Sequence, residues 1–239
     1  MNNNEVITTV ENTVGYTFHD KNLLLEALTH SSFSNEMKIN KRNNYERLEF
    51  LGDAVLELLS SEYLFQAFPN ESEGNLTKKR ASMVCEQSLA ICARRMRLGE
   101  MMFFGKGEEL AGGRERDSIL CDVVEAVLGA IYLDGGNEAA RAYVNNHIIT
   151  DLSAGELFVD HKTSLQELIQ HLDTDSKLSY EVVSEAGPEH DKTFEVEVRL
   201  DDRMISRGTG KTKKSAQQDA AYKAIQVLNA SNKTDKGLF

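Results

Sequence analysis

From Glu5 to about Leu152 the apolar residues recur with the 3.6-residue period of amphipathic helices. Asp20 stands as an N-cap ahead of Leu23, Leu24, Ala27 and Leu28. Leu48, Leu51, Val55, Leu58 and Leu59 predict a long helix from Tyr45 to about Phe68, closed by Pro69 and the polar Asn70-Glu71-Ser72. Asn75 to Leu98 predicts one or two more helices. Arg116 to Leu133 predicts another, stopped by Asp134-Gly135-Gly136, and Asn137 to about Leu152 a last one. Gly105-Lys106-Gly107 and Gly112-Gly113 read as loops.

The period changes after a boundary near residues 153–161. Thr163-x2-Gln166 has the form of a capping box opening a helix with Leu165, Leu168, Ile169 and Leu172. Leu178, Tyr180 and Val182 then alternate with polar residues, as do Phe194, Val196, Val198 and Leu200. Asp201-Asp202 predicts a turn into a short strand around Met204 to Arg207. Lys213 to Leu228 predicts a helix with a small-residue face at Ala216, Ala220 and Ala224. The expected organisation is an all-α region over 1–152, a linker at 153–161, an α-β-β-β-α unit over 162–229 and a frayed tail at 230–239.

Composition adds limits. The chain of 239 residues is long enough for one or two cored domains, and no apolar run approaches a membrane span. Met1 to Val10 lacks the pattern of a secretory signal. Cys85, Cys92 and Cys121 have no zinc-ligand spacing and are expected as reduced thiols, which places the protein in the cytoplasm. The net charge of -11 argues at first against a nucleic-acid partner, but its distribution does not. Residues 1–160 carry a net -10 and residues 161–239 only -1, so a cationic face on the second region remains open.

Candidate chemistry lies on two helices. At about 100° per residue, Glu46, Glu49 and Asp53 fall within roughly 60° of one another beside the leucine stripe. Acids so placed repel one another and are costly to desolvate unless a cation sits among them. Spacing alone is weak, because Glu-x2-Glu-x3-Asp arises by chance roughly once in a chain this acidic, and a solvated acidic face is the plain alternative. Asp122 and Glu125 form an i, i+3 pair flanked by Ile119, Leu120, Val123, Val124, Val127 and Leu128, so their helix is expected to be buried. Either Arg114 or Arg116 neutralises that pair, or it joins Glu49 and Asp53 in an all-oxygen site suited to Mg²⁺ or Mn²⁺. Gly52 inside a helix costs about 1 kcal/mol relative to alanine, which calls for a close backbone approach. His30 reads as a satisfied core residue. No Ser-His-Asp or Cys-His arrangement points to a side-chain nucleophile.

Residue by residue, the run Glu46-Arg47-Leu48-Glu49-Phe50-Leu51-Gly52-Asp53-Ala54-Val55-Leu56 resembles the signature of the ribonuclease III family, and the match extends over nearly all of residues 8–229. Gly208-x-Gly210-Lys211-Thr212-Lys213-Lys214-Ser215-Ala216 resembles the most diagnostic segment of a double-stranded RNA-binding domain. The resemblance implies an all-α endonuclease domain followed by a small α+β RNA-binding domain. It implies metal ligation by Glu49, Asp53, Asp122 and Glu125, with Asp53 and Glu125 catalytic, and supporting roles for Glu46 and Glu73. It implies a symmetric homodimer in which Phe50 enters the partner, with Gly52 at the same contact. RNA contacts are implied for Gln166, Glu167, His190, Lys211, Lys213 and Lys214, while Gln217 stands where the family often has a third basic residue. The expected activity is Mg²⁺-dependent hydrolysis of double-stranded RNA to 5′-phosphate and 3′-hydroxyl ends, with Mn²⁺ substituting, in maturation of ribosomal RNA and structured transcripts. Neither a membrane nor a small-molecule substrate is expected. Two other readings are a non-catalytic duplex binder, whose acids are structural, and a helical phosphohydrolase of small esters. The second leaves the lysine-led final helix unexplained.

Overall fold

The computed structural model describes residues 2–38, 43–150, 161–172, 176–188 and 192–235. The chain divides into two compact units, residues 1–158 and 159–239.

Among the described residues of the first unit every regular element is helical, apart from an isolated bridge between Thr29 and Phe103. Its helices are α1 (Asn3–Val14), α2 (Lys21–Ala27), α3 (Ser31–Glu36), α4 (Glu46–Ala67), α5 (Glu73–Met83), α6 (Glu86–Arg95), α7 (Leu98–Met101), α8 (Lys106–Leu110) and α9 (Asp117–Val144). Asp20 caps α2 as expected, its side chain accepting from the Asn22 N–H. Residues 105–107, expected as loop, instead enter α8 with Gly105 as N-cap. Gly105 packs so tightly on the Ser32 backbone that no Cβ fits there. Gly136 takes a left-handed φ of 74° and kinks α9, which marks the predicted stop. Just before it, Asp134 accepts the backbone N–H groups of His19 and Asp20 at 2.7 and 2.9 Å and the Tyr16 hydroxyl at 2.8 Å. These bonds hold its carboxyl at about 2 against the opposing effect of burial. The core is centred on α9, in which Val123, Val124, Ala126, Val127, Leu128, Ala130 and Ile131 are fully buried. Leu24 and Leu28, Leu56 and Leu59, and Leu89 and Ala93 belong to the same core.

The second unit has the predicted order: α10 (His161–Leu172), β1 (Leu178–Ala186), β2 (Thr193–Leu200), β3 (Arg203–Gly210) and α11 (Lys213–Asp235). The strands form an antiparallel sheet in the order β1-β2-β3, and Asp201-Asp202 turns β2 into β3. Val196 and Val198 face Leu165, Ile169, Ala216, Ala220 and Ala224 across the core. The small-residue face of α11 is there because β3 comes so close. A Cβ on Gly208 would overlap the backbone of Ala216 and Ala220, and the Ser206 hydroxyl donates to the Ala220 carbonyl at 2.7 Å.

Two expectations need correction. Thr163 is not an N-cap: α10 begins at His161, and the Lys162 N–H is received by the Gln218 side chain at 3.3 Å. The final helix also continues past Leu228 to Asp235, over residues 230–235 that the sequence assigns to the tail; no Gly or Pro interrupts them. Among the described residues, no helix is long and apolar enough to cross a membrane.

Candidate metal centre and cationic surface

The first site follows from a close helix crossing. A Cβ on Gly52 would overlap the Glu125 carbonyl, and one on Gly129 would overlap the Leu48 carbonyl, so α4 and α9 meet backbone to backbone. Glu49 and Asp53 flank Gly52, and Glu125 lies one turn before Gly129. The crossing therefore brings both acid pairs together. Gly52 is buried within its own chain against α9, which supplies the close backbone approach expected for it.

Burial and mutual repulsion set the electrostatics. Glu125 is 9% exposed, Glu49 and Asp122 are half-buried, and Asp53 is exposed. Burial, then the charges of Asp53, Asp122 and Glu49, push the Glu125 carboxyl up to about 8. Burial, then Asp122, Glu46 and Asp53, push Glu49 up to about 7. Burial also raises Asp122, against a hydrogen bond from Tyr45 and the nearby His30. Donor atoms of Cys121, Asp122 and Glu125 lie within 4.8 Å of one another.

The arginines that could neutralise this group are engaged elsewhere. Arg114 pairs with Glu109 at 2.6 Å and donates to the Gly99 and Met102 carbonyls, while Arg116 pairs with Glu108 at 2.7 Å. Among the described residues no Lys or Arg pairs with Glu49, Asp53, Asp122 or Glu125. Asp122 and Glu125 thus lie within ligand range of each other, Glu49 and Asp53 reach Glu125 through their charge, and a group of acids with no Lys or Arg partner among the described residues suits a hard divalent cation.

The other predicted positions separate. Glu46 is exposed and acts on Glu49 through charge alone. Glu73 accepts from Thr77 at 3.0 Å and lines a different cavity, of about 490 Å³, with Ser61, Leu64, Phe65 and Arg80. Ser61 is more than three turns beyond Glu49, roughly 18 Å along α4. The structure therefore does not bring Glu73 to the four carboxylates of its own chain. Phe50 is 80% exposed on the same helix, with Leu58 and Phe65 also exposed. His30 is satisfied by Ser32 but caps α3, half-buried between Tyr45 and Phe104. Sequence reasoning missed Tyr45, whose hydroxyl donates to Asp122 at 3.0 Å, and Cys121, whose thiol faces Glu125 at 3.8 Å.

In the second unit Lys211, Lys213 and Lys214 are exposed where β3 passes into α11, and Gln166 and Glu167 are exposed on α10. Thr212 and Ser215 cap α11 reciprocally, each backbone N–H donating to the other's hydroxyl at 3.0 Å. Lys213 and Lys214 thus occupy the first turn, where the helix dipole already favours an anion. Lys213 also pairs with Glu185 at 3.0 Å. A cavity of about 250 Å³ joins Gln166 and Lys214 to Lys162, Thr163, Tyr180 and Gln218. Lys162 escaped the sequence reading. Its ammonium lies over the Tyr180 ring and donates to the Gln217 amide at 2.7 Å, so a cation stands beside the position where Gln217 lacks one. His190 lies outside the described residues.

Residues 20–152 match the family model described as ribonuclease-III-like, and residues 161–228 match that of the double-stranded RNA binding motif. The chain is 49% identical to the ribonuclease 3 of Caldanaerobacter subterraneus subsp. tengcongensis, covering 93% of this chain and 98% of that protein. It is 50% identical to the ribonuclease 3 of Desulforamulus reducens, covering 92% and 91%. Among solved structures, it resembles the nuclease domain of ribonuclease III from Campylobacter jejuni, described with structural flexibility in a region involved in dimer formation. There the TM-score is 0.56 at 46% identity, covering 59% of this chain and 95% of that one.

Proposed function

The chain belongs to the ribonuclease III family, and from that premise we propose that it is a cytoplasmic endonuclease that hydrolyses double-stranded RNA with Mg²⁺, or Mn²⁺ in its place. Residues 1–152 form the catalytic and dimerisation domain, and residues 162–229 bind the duplex. The observation that supports this reading is the close Gly52–Gly129 crossing of the helices that carry Glu49, Asp53, Asp122 and Glu125, with no Lys or Arg among the described residues paired to them.

Those four carboxylates hold the cation, with Asp53 and Glu125 nearest the chemistry and Glu46 adding negative charge at the edge. A divalent cation there supplies activation of water and neutralisation of charge on the leaving 3′-oxygen. The chain's own contribution is to leave the acids without a Lys or Arg partner among the described residues and to carry them on two closely crossed helices. The products are 5′-phosphate and 3′-hydroxyl ends, and the substrates include ribosomal RNA precursors and structured transcripts.

The duplex lies against Gln166, Glu167, Lys162, Lys211, Lys213 and Lys214, with His190 in the β1–β2 connection. Such a surface reads A-form shape with little sequence discrimination. The active form is a homodimer in which Phe50 enters the partner's cavity beside Phe65 and Glu73. Because Glu49 and Asp53 flank Phe50 in sequence, this seating carries Glu73 toward the acids of the other subunit and accounts for its distance from those of its own.

The test is incubation of a long RNA duplex with the full chain, with and without Mg²⁺, beside Glu125→Gln. Mg²⁺-dependent cleavage, lost in the variant while duplex binding persists, is the expected result. Equal cleavage by the variant sinks the assigned site, and binding without cleavage by either protein favours a non-catalytic duplex binder.

A further inference from the structure

Asp122 differs from the other three carboxylates in having a protein hydroxyl bound to it. The Tyr45 hydroxyl donates to Asp122 Oδ2 at 3.0 Å, and among the described residues no other protein group hydrogen-bonds to this carboxylate. Glu49 and Asp53 receive no side-chain hydrogen bond among the described residues, and Glu125 receives only the weak thiol contact from Cys121. One oxygen of Asp122 is thus held by the protein, while the other keeps its lone pairs.

Tyr45 is itself held from several directions. It is 4% exposed at the N-terminus of α4, and its N–H donates to the Thr29 carbonyl at 2.9 Å. Its ring packs 5.6 Å from that of His30, which packs 5.2 Å from Phe104. The His30 backbone is tied in turn to the Phe103 carbonyl at 3.0 Å. Residues 28–30 and 103–104 therefore fix the ring, and the ring delivers its hydroxyl to α9.

We propose that Tyr45 is a positioning residue for Asp122, orienting this carboxylate toward the divalent cation without touching the cation itself. The inference rests on the metal-dependent reading of the preceding subsection. A donor behind a ligating carboxylate fixes the direction of its free lone pairs, so less orientational freedom is lost when the cation binds. Partners of this kind typically change metal affinity or activity by about 10–100-fold. Tyr45 also bridges α4 and α9, the two helices that carry the four acids, so its hydroxyl couples their spacing to the orientation of Asp122.

The experiment uses the full chain and Tyr45→Phe, which keeps the ring and removes only the hydroxyl. Mg²⁺ binding is measured by calorimetry without RNA, and single-turnover duplex cleavage is followed as a function of Mg²⁺. The variant is expected to bind Mg²⁺ about 10-fold or more weakly, with the cleavage rate recovering as Mg²⁺ approaches saturation. A purely structural hydroxyl would lower the Mg²⁺-free unfolding midpoint and leave the Mg²⁺ dependence unchanged. The Mg²⁺-induced rise in each protein's midpoint, taken from its own Mg²⁺-free value, keeps the comparison valid if the variant is less stable. A Mg²⁺ dependence indistinguishable from that of the parent overturns the positioning role and leaves the nuclease reading standing. A parent protein that neither binds Mg²⁺ nor cuts duplex RNA overturns both.

Discussion

Glu125→Gln removes a charge that the fold holds at a cost, and the protein without metal should become more stable where it loses activity. The carboxyl is 9% exposed and faces Asp53, Asp122 and Glu49, which together with burial push it up to about 8 from an ordinary 4.5. Its value is raised on folding, so the unfolded chain gives up this proton first. The resulting penalty is absent well below the ordinary carboxylate range and grows as pH rises from there to about 8. At about 1.4 kcal/mol per unit, ionisation costs the fold about 1 kcal/mol at pH 5 and about 4 kcal/mol at pH 8. Glutamine keeps the shape of the protonated acid and does not titrate, so any constant cost of its amide cancels between the two pH values. The stability of the variant relative to the parent should therefore rise by about 3 kcal/mol from pH 5 to pH 8, roughly 6–12 °C in melting temperature for a unit of this size. The assay is thermal unfolding of both proteins in chelator at each pH. Mg²⁺ at pH 8 should then narrow the gap by stabilising the parent more than the variant. Parallel stability–pH curves for the two proteins would refute the reasoning.

Gly52→Ala should destabilise the first unit by about 2 kcal/mol or more, despite better helix propensity, because its methyl meets the Glu125 backbone; a melt equal to the parent's would contradict the crossing. Asp134→Ala should cost about 2 kcal/mol by removing the charge-assisted hydrogen bonds that the carboxylate accepts from His19 and Asp20. Because the Asp134 carboxyl is held at about 2, its contribution is complete above the ordinary carboxylate range and lost as pH falls toward that value, so acid unfolding of the parent and of Asp134→Ala should converge. Lys162→Ala should weaken duplex binding and reduce its logarithmic salt slope by about 1, since one phosphate contact is lost; an unchanged slope would remove Lys162 from the interface. Phe50→Ala should shift the mass measured by light scattering from dimer toward monomer, whereas an unchanged dimer would place the contact elsewhere.

Where periodicity or a side-chain cap decides the structure, the chain was readable in advance. Most of the leucine stripe of α4 (Leu48, Val55 and Leu59, though not the exposed Leu58), the Asp20 cap, the change to strand at Leu178 and the small-residue face of α11 all express local rules. The four carboxylates were legible through their apolar setting and the family resemblance, since their spacing by itself recurs by chance. Contacts that arise only on folding were not legible. Tyr45 carries no periodic signal, and its role depends on Asp122, 77 positions away in sequence. Lys162 matters because α10 and α11 meet and bring it to Gln217, 55 positions on. Gly52 was rightly expected to meet another backbone, but the pattern could not show that this backbone is α9 of the same chain. Thr163 illustrates the opposite case, a capping pattern that falls inside a helix already begun at His161.

Crystals of the full chain soaked with Mn²⁺ and measured at the manganese absorption edge test the central claim most directly. The account predicts an anomalous peak within ligand distance of carboxylate oxygens from both α4 and α9, among Glu49, Asp53, Asp122 and Glu125, and its loss in Glu125→Gln. A peak bound only by residues outside that set, or an undiminished peak in the variant, would contradict it.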